Sequence, residues 1–368
     1  MRHSPANLLP IEVGPHWLDE PLPHDLYNQM GVLIAGKGSI VNDPKRIEQL
    51  TRMRLYRPGE RSESLPAAPL IALNQIARQY DCLRAHSLVP DVQAIPTLAS
   101  ALRQLVLGQP ELSMAMASRM PLNSLSRRHS LQVAAVGILL AQQLGLDEST
   151  QLTVASAALS MNLTGHDLQD RLALVRGRAD DADKALLRQH PWHAAEALAR
   201  LGVSDVRWLL AVSQHHENLD GSGYPFGIAG SAITIEARVL RVADVWCAFL
   251  AHRHSRIGRY PRHALRELFR RERGKLDDAV MLALRRLMGY YPPGTLVRLT
   301  NRETALVTRW FPGSIRPRYV VSLLRPSGNP VGRHQVRPTL HPDYGIRDYT
   351  YLPQGHAPLD WDKVWQAA

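Results

Sequence analysis

The chain has 368 residues, 45% of them hydrophobic, which is enough to bury a substantial core in two or three domains and too apolar for a mainly disordered protein. Its formal charge of +11 is dispersed, mostly as arginine, with no dense basic tail, so no specific nucleic-acid polymer is implied as a partner. Two distant cysteines, Cys82 and Cys247, argue against a disulfide scaffold, and with no secretion signal and no apolar run long enough for a bilayer the expected compartment is the cytoplasm, without integral membrane association.

Residues 1–65 read as a small accessory domain, α/β or β-rich. Gly31–Val41 alternates apolar and small residues around Gly36 and Gly38, which suits short strands and a turn. Asp43–Pro44 opens a short helix over Lys45–Tyr56, and Arg57–Pro69 has the proline, serine and charge of a linker. From Ala72 the pattern turns helical. Ile95–Gly108, Ser126–Leu144, Gln151–Asn162, Asp183–Leu201, Val206–Glu217 and Ile235–His252 have helical length and apolar period, followed by a pair over Arg262–Arg271 and Asp277–Met288. Leu131, Val133, Ala134, Ile138, Leu139 and Leu144 predict a broad buried face. Gly202 marks a helix end, and Ser204 is placed to cap the next helix.

After Tyr291–Pro292–Pro293–Gly294 the period changes. Thr295–Thr300, Ala305–Trp310 and Arg318–Leu324 predict three short strands, a β appendage over 291–325. Residues 326–368 read as an irregular tail. The expected architecture is predominantly α: a helical core over 72–290 between the accessory domain and the appendage.

The run His215–His216–Glu217–Asn218–Leu219–Asp220–Gly221–Ser222–Gly223–Tyr224–Pro225 joins a histidine pair to an Asp/Gly-rich turn. Imidazoles are ready metal ligands, glycines allow a ligand close to the backbone, and a tyrosine adds packing and a phenolic hydrogen bond. His129, His190 and Asp244 are further candidate ligands. His190 is expected near a helix end before Pro191, and Asp244 sits in the apolar stretch Val239–Cys247, where a buried carboxylate needs compensation. Each also has a structural use: polar packing for His129, terminus capping for His190, a salt bridge for Asp244. Trp246, two residues on, suits a core position.

This run resembles the signature of the HD-GYP family, whose members hydrolyse cyclic di-GMP at clustered metal ions. The resemblance extends over roughly Leu98 to Leu324. His129–Ser130–Leu131–Gln132–Val133 matches the family's first histidine segment, His190–Pro191 its isolated metal histidine, and Arg238–Asp244 the segment with the later aspartate. It implies an HD-type helical bundle with metal ligands His129, His190, His215, His216 and Asp244. It also implies a ligand-binding face of Asp220, Gly221, Gly223, Tyr224 and Pro225, with Arg253 and Arg256 near nucleotide phosphates, and linear pGpG as the product of hydrolysis.

The sequence departs from the family at its name-giving dyad. Met161 stands for the histidine, Asn162 for the aspartate expected to bridge metals, and Thr164 for the lysine that follows; Leu125 replaces a glutamate some members carry. A neutral amide and a thioether are poor donors in a hard, phosphate-processing site. The expectation is a degenerate signalling protein that loses the binuclear centre and keeps a single transition-metal ion, iron or manganese, on His190, His215 and His216. Cyclic di-GMP is the expected ligand, with weak or absent hydrolysis, and a homodimer or signalling-protein partner is the further association implied. An active metal-dependent phosphodiesterase and an inactive interaction scaffold are the alternatives. His166–Asp167, a literal HD pair, lies five residues beyond the expected dyad, ~7.5 Å along a continuous helix, and is expected in a polar surface turn.

Overall fold

The structure is a computed structural model that describes residues 8–11, 13, 17–22, 24–28, 33–53, 55–58, 69–85, 91–117, 124–174, 180–251, 258–309, 316–353 and 360–367. Arg253 and Arg256, the expected phosphate ligands, lie outside the described residues, as does most of the expected linker. The chain divides into two compact units, Met1–Gln79 and Tyr80–Ala368.

Among the described residues, the first unit holds a four-stranded antiparallel sheet and a helix packed on it, besides the first part of the helix that leads into the second unit. Strands β1 (Leu8–Ile11), β2 (Leu26–Asn28), β3 (Leu33–Ala35) and β4 (Leu55–Pro58) lie in the order β1-β4-β2-β3. Helix α1 (Pro44–Arg52) begins where Asp43 accepts a hydrogen bond from the Lys45 amide and Pro44 occupies the first turn. Its expected extension to Tyr56 is cut short because Leu55–Pro58 pairs with two strands, β1 and β2. Ile47 and Leu50 of α1 bury against Leu22, Leu26 and Leu55.

Helix α2 (Pro69–Ala85) spans the division, and the second unit is mainly helical. In chain order come α3 (Ile95–Gly108), α4 (Pro110–Ala117), α5 (Leu125–Gln143), α6 (Glu148–Ser160), α7 (His166–Leu174), α8 (Asp181–Arg200), α9 (Val206–Gln214), α10 (Ile235–Leu250), α11 (Pro261–Arg271) and α12 (Asp278–Met288). Helix α5 is the centrepiece, buried on every side from Val133 to Ala141. It packs against α3, α4, α6, α7, α10 and α12. Gly137 sets the α5–α6 spacing: a Cβ there would lie 2.7 Å from Val154 Cγ1.

The cap of α9 and the place of His190 in α8 differ from expectation for identifiable reasons. Asp205, not Ser204, caps α9, its carboxylate accepting from the Trp208 amide at 3.1 Å. Helix α8 runs through Pro191 to Arg200, as the period over Asp183–Leu201 predicts, so His190 lies in mid-helix rather than near an end. The missing Pro191 N–H leaves the Leu187 carbonyl without its helical donor, and the site uses that vacancy.

The C-terminal sheet has five strands, ordered β8-β7-β6-β5-β9, from β5 (Leu296–Leu299), β6 (Thr304–Leu306), β7 (Tyr319–Leu324), β8 (Val336–Pro338) and β9 (Ile346–Tyr349). Residues 326–368 are therefore not an irregular tail. They supply both outer strands and helix α13 (Trp361–Gln366), whose Val364 buries against Leu296, Leu306 and Val321. Alternate residues Val297, Leu299, Ala305 and Val320 form a second apolar layer on the other face. Tyrosine rings tie β9 to the helical core. Tyr349 stacks on Tyr291 at 4.8 Å and on Tyr260 at 4.9 Å, and Tyr260 stacks on Tyr351 at 4.8 Å.

Among the described residues no helix is long and apolar enough to cross a membrane.

Candidate metal and ligand site

The second unit encloses a cavity of about 900 Å³, within the roughly 300–1,000 Å³ common for small-molecule sites. His129 from α5, His190 from α8, Asp244 from α10, and His216 and Tyr224 from the loop after α9 all line it, as does Asn162 just past α6. His215 lies beneath this surface, 0% exposed.

Two of these histidines have their tautomers fixed by the backbone. His190 Nδ1 is 2.6 Å from the Leu187 carbonyl, the acceptor that Pro191 leaves open. His215, at the C-cap of α9, places Nδ1 2.6 Å from the Val212 carbonyl, one of the last-turn acceptors with no helical donor. A carbonyl only accepts, so both Nδ1 atoms carry the proton and both Nε2 atoms present lone pairs. Those Nε2 atoms face each other at 3.3 Å. Two lone pairs at that distance repel unless a cation lies between or beside them, and a ring N–H held by a carbonyl is the usual support of a metal-ligating histidine. Ligand atoms of His190, His215 and His216 all lie within 4.8 Å of one another. The geometry fits a cation.

Burial keeps these rings neutral. It pushes His215 down to about 3, reinforced by His190 alongside, and lowers His190 and, more strongly, His216. An unfolded histidine takes up protons near pH 6.5, so the folded chain binds fewer protons between about pH 3 and 6.5. The stability from neutral burial is full above that window and is lost as pH falls through it. For metal-free protein, moving from pH 7 to pH 5 should cost about 2 kcal/mol through His215 alone. Denaturant midpoints at the two pH values check this against His215→Asn, and equal pH sensitivity in both proteins would refute it.

The remaining expected ligands are paired with protein groups. Asp244 Oδ1 accepts from His129 Nε2 at 2.7 Å. Burial opposes its charge, but the His129 hydrogen bond, with His216 and Arg241 nearby, outweighs burial and holds the carboxyl well below its ordinary range. Met161, the C-cap of α6, is 1% exposed and packs in the core rather than on the cavity. Asn162 does reach the cavity, but its Oδ1 accepts from Gln169 Nε2 at 2.6 Å and its Nδ2 donates to Ser130 Oγ at 3.3 Å. Leu125 lines the wall, and Thr164 is exposed with its hydroxyl 3.5 Å from the His190 carbonyl. His166 and Asp167 form the first turn of α7 rather than a surface turn. His166 is buried with Nδ1 against Ser126 Oγ, Asp167 is exposed, and neither lines the cavity.

Of the expected ligand-binding loop residues, Tyr224 alone lines the cavity. Its ring lies 4.7 Å from that of His216 and under the Arg188 guanidinium, and burial, with Asp244 nearby, pushes its hydroxyl up to about 12. The others shape the loop. Asp220 accepts from the Ser222 amide and hydroxyl, Gly221 turns the chain at φ +78°, and Pro225 follows a cis peptide bond. Gly223 runs against the backbone of Glu217 and Asn218.

Several residues had no role in the sequence reading. Glu217 Oε1 accepts from the amides of Phe226 and Gly227 at 2.7 and 3.2 Å, pinning the far side of the loop. Its buried Oε2 has no hydrogen-bond partner among the described residues. Arg128 and Arg259 line the cavity with Tyr260 and Tyr351. Only Arg128 had a sequence signal, its place directly before His129. Trp246 is buried and also reaches the cavity.

A family model for the HD domain matches residues 101–280. The cyclic di-GMP phosphodiesterase PA4108 of Pseudomonas aeruginosa is 31% identical over 179 residues, covering 49% of this chain and 43% of that protein. The cyclic di-GMP phosphodiesterase response regulator RpfG of Xanthomonas campestris is 34% identical over 149 residues, covering 40% and 39%. A 3'3'-cGAMP-specific phosphodiesterase of Vibrio cholerae is 26% identical over 164 residues, covering 45% and 35%. The chain thus spans less than half the length of these relatives. Among solved structures, the HDG"Y"P protein Bd1817 of Bdellovibrio bacteriovorus is similar at TM-score 0.42 and 16% identity, over 75% of this chain and 98% of that one. The match over 101–280 identifies an HD domain, and the similarity to these phosphodiesterases together with the His215–Pro225 run supports an HD-GYP family member.

Proposed function

We propose that the chain is a cyclic-dinucleotide signalling protein that holds one transition-metal ion on its buried histidines and binds cyclic di-GMP in the adjoining cavity, with weak or absent hydrolysis. The observation that carries this reading is the pair of facing Nε2 lone pairs on His190 and His215. A bound ion, iron or manganese, would supply positive charge and Lewis acidity toward a phosphate oxygen.

The chain's own residues suit the rest of the ligand. Arg128 and Arg259 bring cationic side chains to the cavity wall, and arginine matches phosphate geometry well. Tyr260 and Tyr351 bring aromatic surface, of the kind on which guanine rings pack. The case against efficient hydrolysis is chemical. Asn162 is neutral and its oxygen is engaged by Gln169, His129 is engaged by Asp244, and Met161 does not reach the cavity. The donors left over fit one ion and do not fit a carboxylate-bridged pair.

The test is an anaerobic preparation reconstituted separately with Fe(II) and Mn(II), then assayed for bound cyclic di-GMP or 3'3'-cGAMP and for linear products. The expected outcome is about one ion per chain, saturable nucleotide binding and little or no product. Multiple turnover to pGpG would establish the active phosphodiesterase instead. Metallated protein that binds neither nucleotide would leave the scaffold reading.

A further inference from the structure

Arg241, one turn before Asp244 on α10, reaches the histidine cluster. Its Nη1 lies 3.2 Å from His216 Nδ1 and 3.6 Å from Asp244 Oδ2. His216 Nδ1 and Asp244 Oδ2 are themselves 3.8 Å apart, so one guanidinium nitrogen serves both. A guanidinium only donates and stays charged wherever proteins are folded. His216 Nδ1 is therefore the acceptor in this contact, and the neutral ring carries its proton on Nε2. The second oxygen of Asp244 is already taken by His129.

We infer that Arg241 is a built-in cation that engages His216 and Asp244 in the role a metal ion would otherwise fill, confining ion binding to His190 and His215. The inference deepens the functional proposal and rests on its reading of those two histidines as metal donors. The guanidinium is anchored. Its Nε donates to Asn218 Oδ1 at 3.1 Å, Asn218 Nδ2 donates to Ser222 Oγ at 3.0 Å, and that hydroxyl donates to Asp220 Oδ1 at 2.6 Å. The loop after α9 thus holds the arginine in place. With the Arg241 side chain 17% exposed and that of Asp244 12% exposed, water screens the charges only in part. A divalent ion approaching His216 Nδ1 must displace a bound donor and meets a fixed like charge. Of five side chains of metal-binding type, two remain uncommitted.

The test compares the metal-stripped 368-residue chain in its wild-type, Arg241→Ala and Arg241→Lys forms by titration with Mn(II). Freed of the guanidinium, His216 and Asp244 become available, and Arg241→Ala should bind Mn(II) at least tenfold more tightly than wild type. Arg241→Lys, which keeps a cation, should stay within about threefold of wild type. Should the alanine variant fold poorly, Arg241→Gln removes the charge while keeping a donor for Asn218. Equal or weaker binding by the folded neutral variant, or equal tightening by the lysine variant, overturns the inference.

A second readout needs no metal: 15N shifts of the His216 ring in stripped wild type should report the Nε2–H tautomer. The Nδ1–H tautomer would overturn the contact on which the inference stands. The two readings fail separately. If wild type takes up no ion while His216 shows the Nε2–H tautomer and Arg241→Ala gains binding, the one-ion reading of the natural chain falls and the role of Arg241 stands. If wild type binds one ion and Arg241→Ala binds it no better, the reverse holds.

Discussion

Replacing His215 with alanine should abolish metal loading: after reconstitution with Mn(II) or Fe(II) and desalting, metal content falls from about one per chain to background. His190 and His215 are the donors with both tautomer and orientation set by backbone carbonyls, so neither can be replaced by a side chain swinging in. Losing a hydrogen-bond partner of a metal ligand typically costs ~10–100-fold in affinity, and losing the ligand itself should exceed that. A second signature comes from linkage, since an ion that binds the folded chain alone raises its stability, by about 2.7 kcal/mol at a hundredfold excess over Kd. Wild type should therefore melt at a higher temperature with Mn(II), and His215→Ala should show no such shift. A variant that keeps both its ion and its thermal shift would remove the histidine pair from the metal site.

How far the fold could be read in advance depended on whether the signal was local. Ile95–Gly108 has its observed bounds because apolar period, proline start and glycine end all lie within the segment. The apolar period over Asp183–Leu201 likewise carried the helix through Pro191, but placing His190 near a helix end missed that its ring uses the carbonyl the proline vacates. Strands β8 and β9 were missed for a different reason. They pair with β7 and β5, and such short strands become strands by their partners rather than by their own residues.

The site divides in the same way. His129, His190, His215, His216 and Asp244 carry chemistry in their residue type, and the fold does bring them into one cluster. Their pairing could not be read. Whether Asp244 faces a metal, a histidine or an arginine depends on α5 and α10 lying side by side, a contact between residues 115 apart in sequence. Arg241 went unread because an arginine on a helix ordinarily suggests a solvated face. Glu217 lay inside the signature itself, but its function, holding two amides across the loop, requires the loop to be closed first.

That closure sets the second large effect, expected for Gly223→Ala. A Cβ at this position would lie 2.4 Å from Asn218 N, 2.5 Å from Glu217 Cα and 2.7 Å from Glu217 C. All three atoms are backbone, so no flexible side chain can give way, and the chain itself must move. The segment it would push carries His216, whose carbonyl accepts from the Tyr224 amide at 3.2 Å, and Asn218, which anchors Arg241. The cost should reach about 3 kcal/mol, the upper end for overpacking a well-filled site, and the proposed nucleotide binding in the cavity beside this loop should fall with it. Gly230→Ala in the same loop is the control. Gly230 has φ +56° but nothing within 4 Å of its would-be Cβ, so the cost there is backbone strain alone, about 1–2 kcal/mol. Denaturant midpoints and nucleotide titrations of both variants separate the two causes. Gly223→Ala should be the more destabilised and the weaker binder; equal losses in both would mean that the chain relieves the contact at little cost and that the close approach does not shape the site.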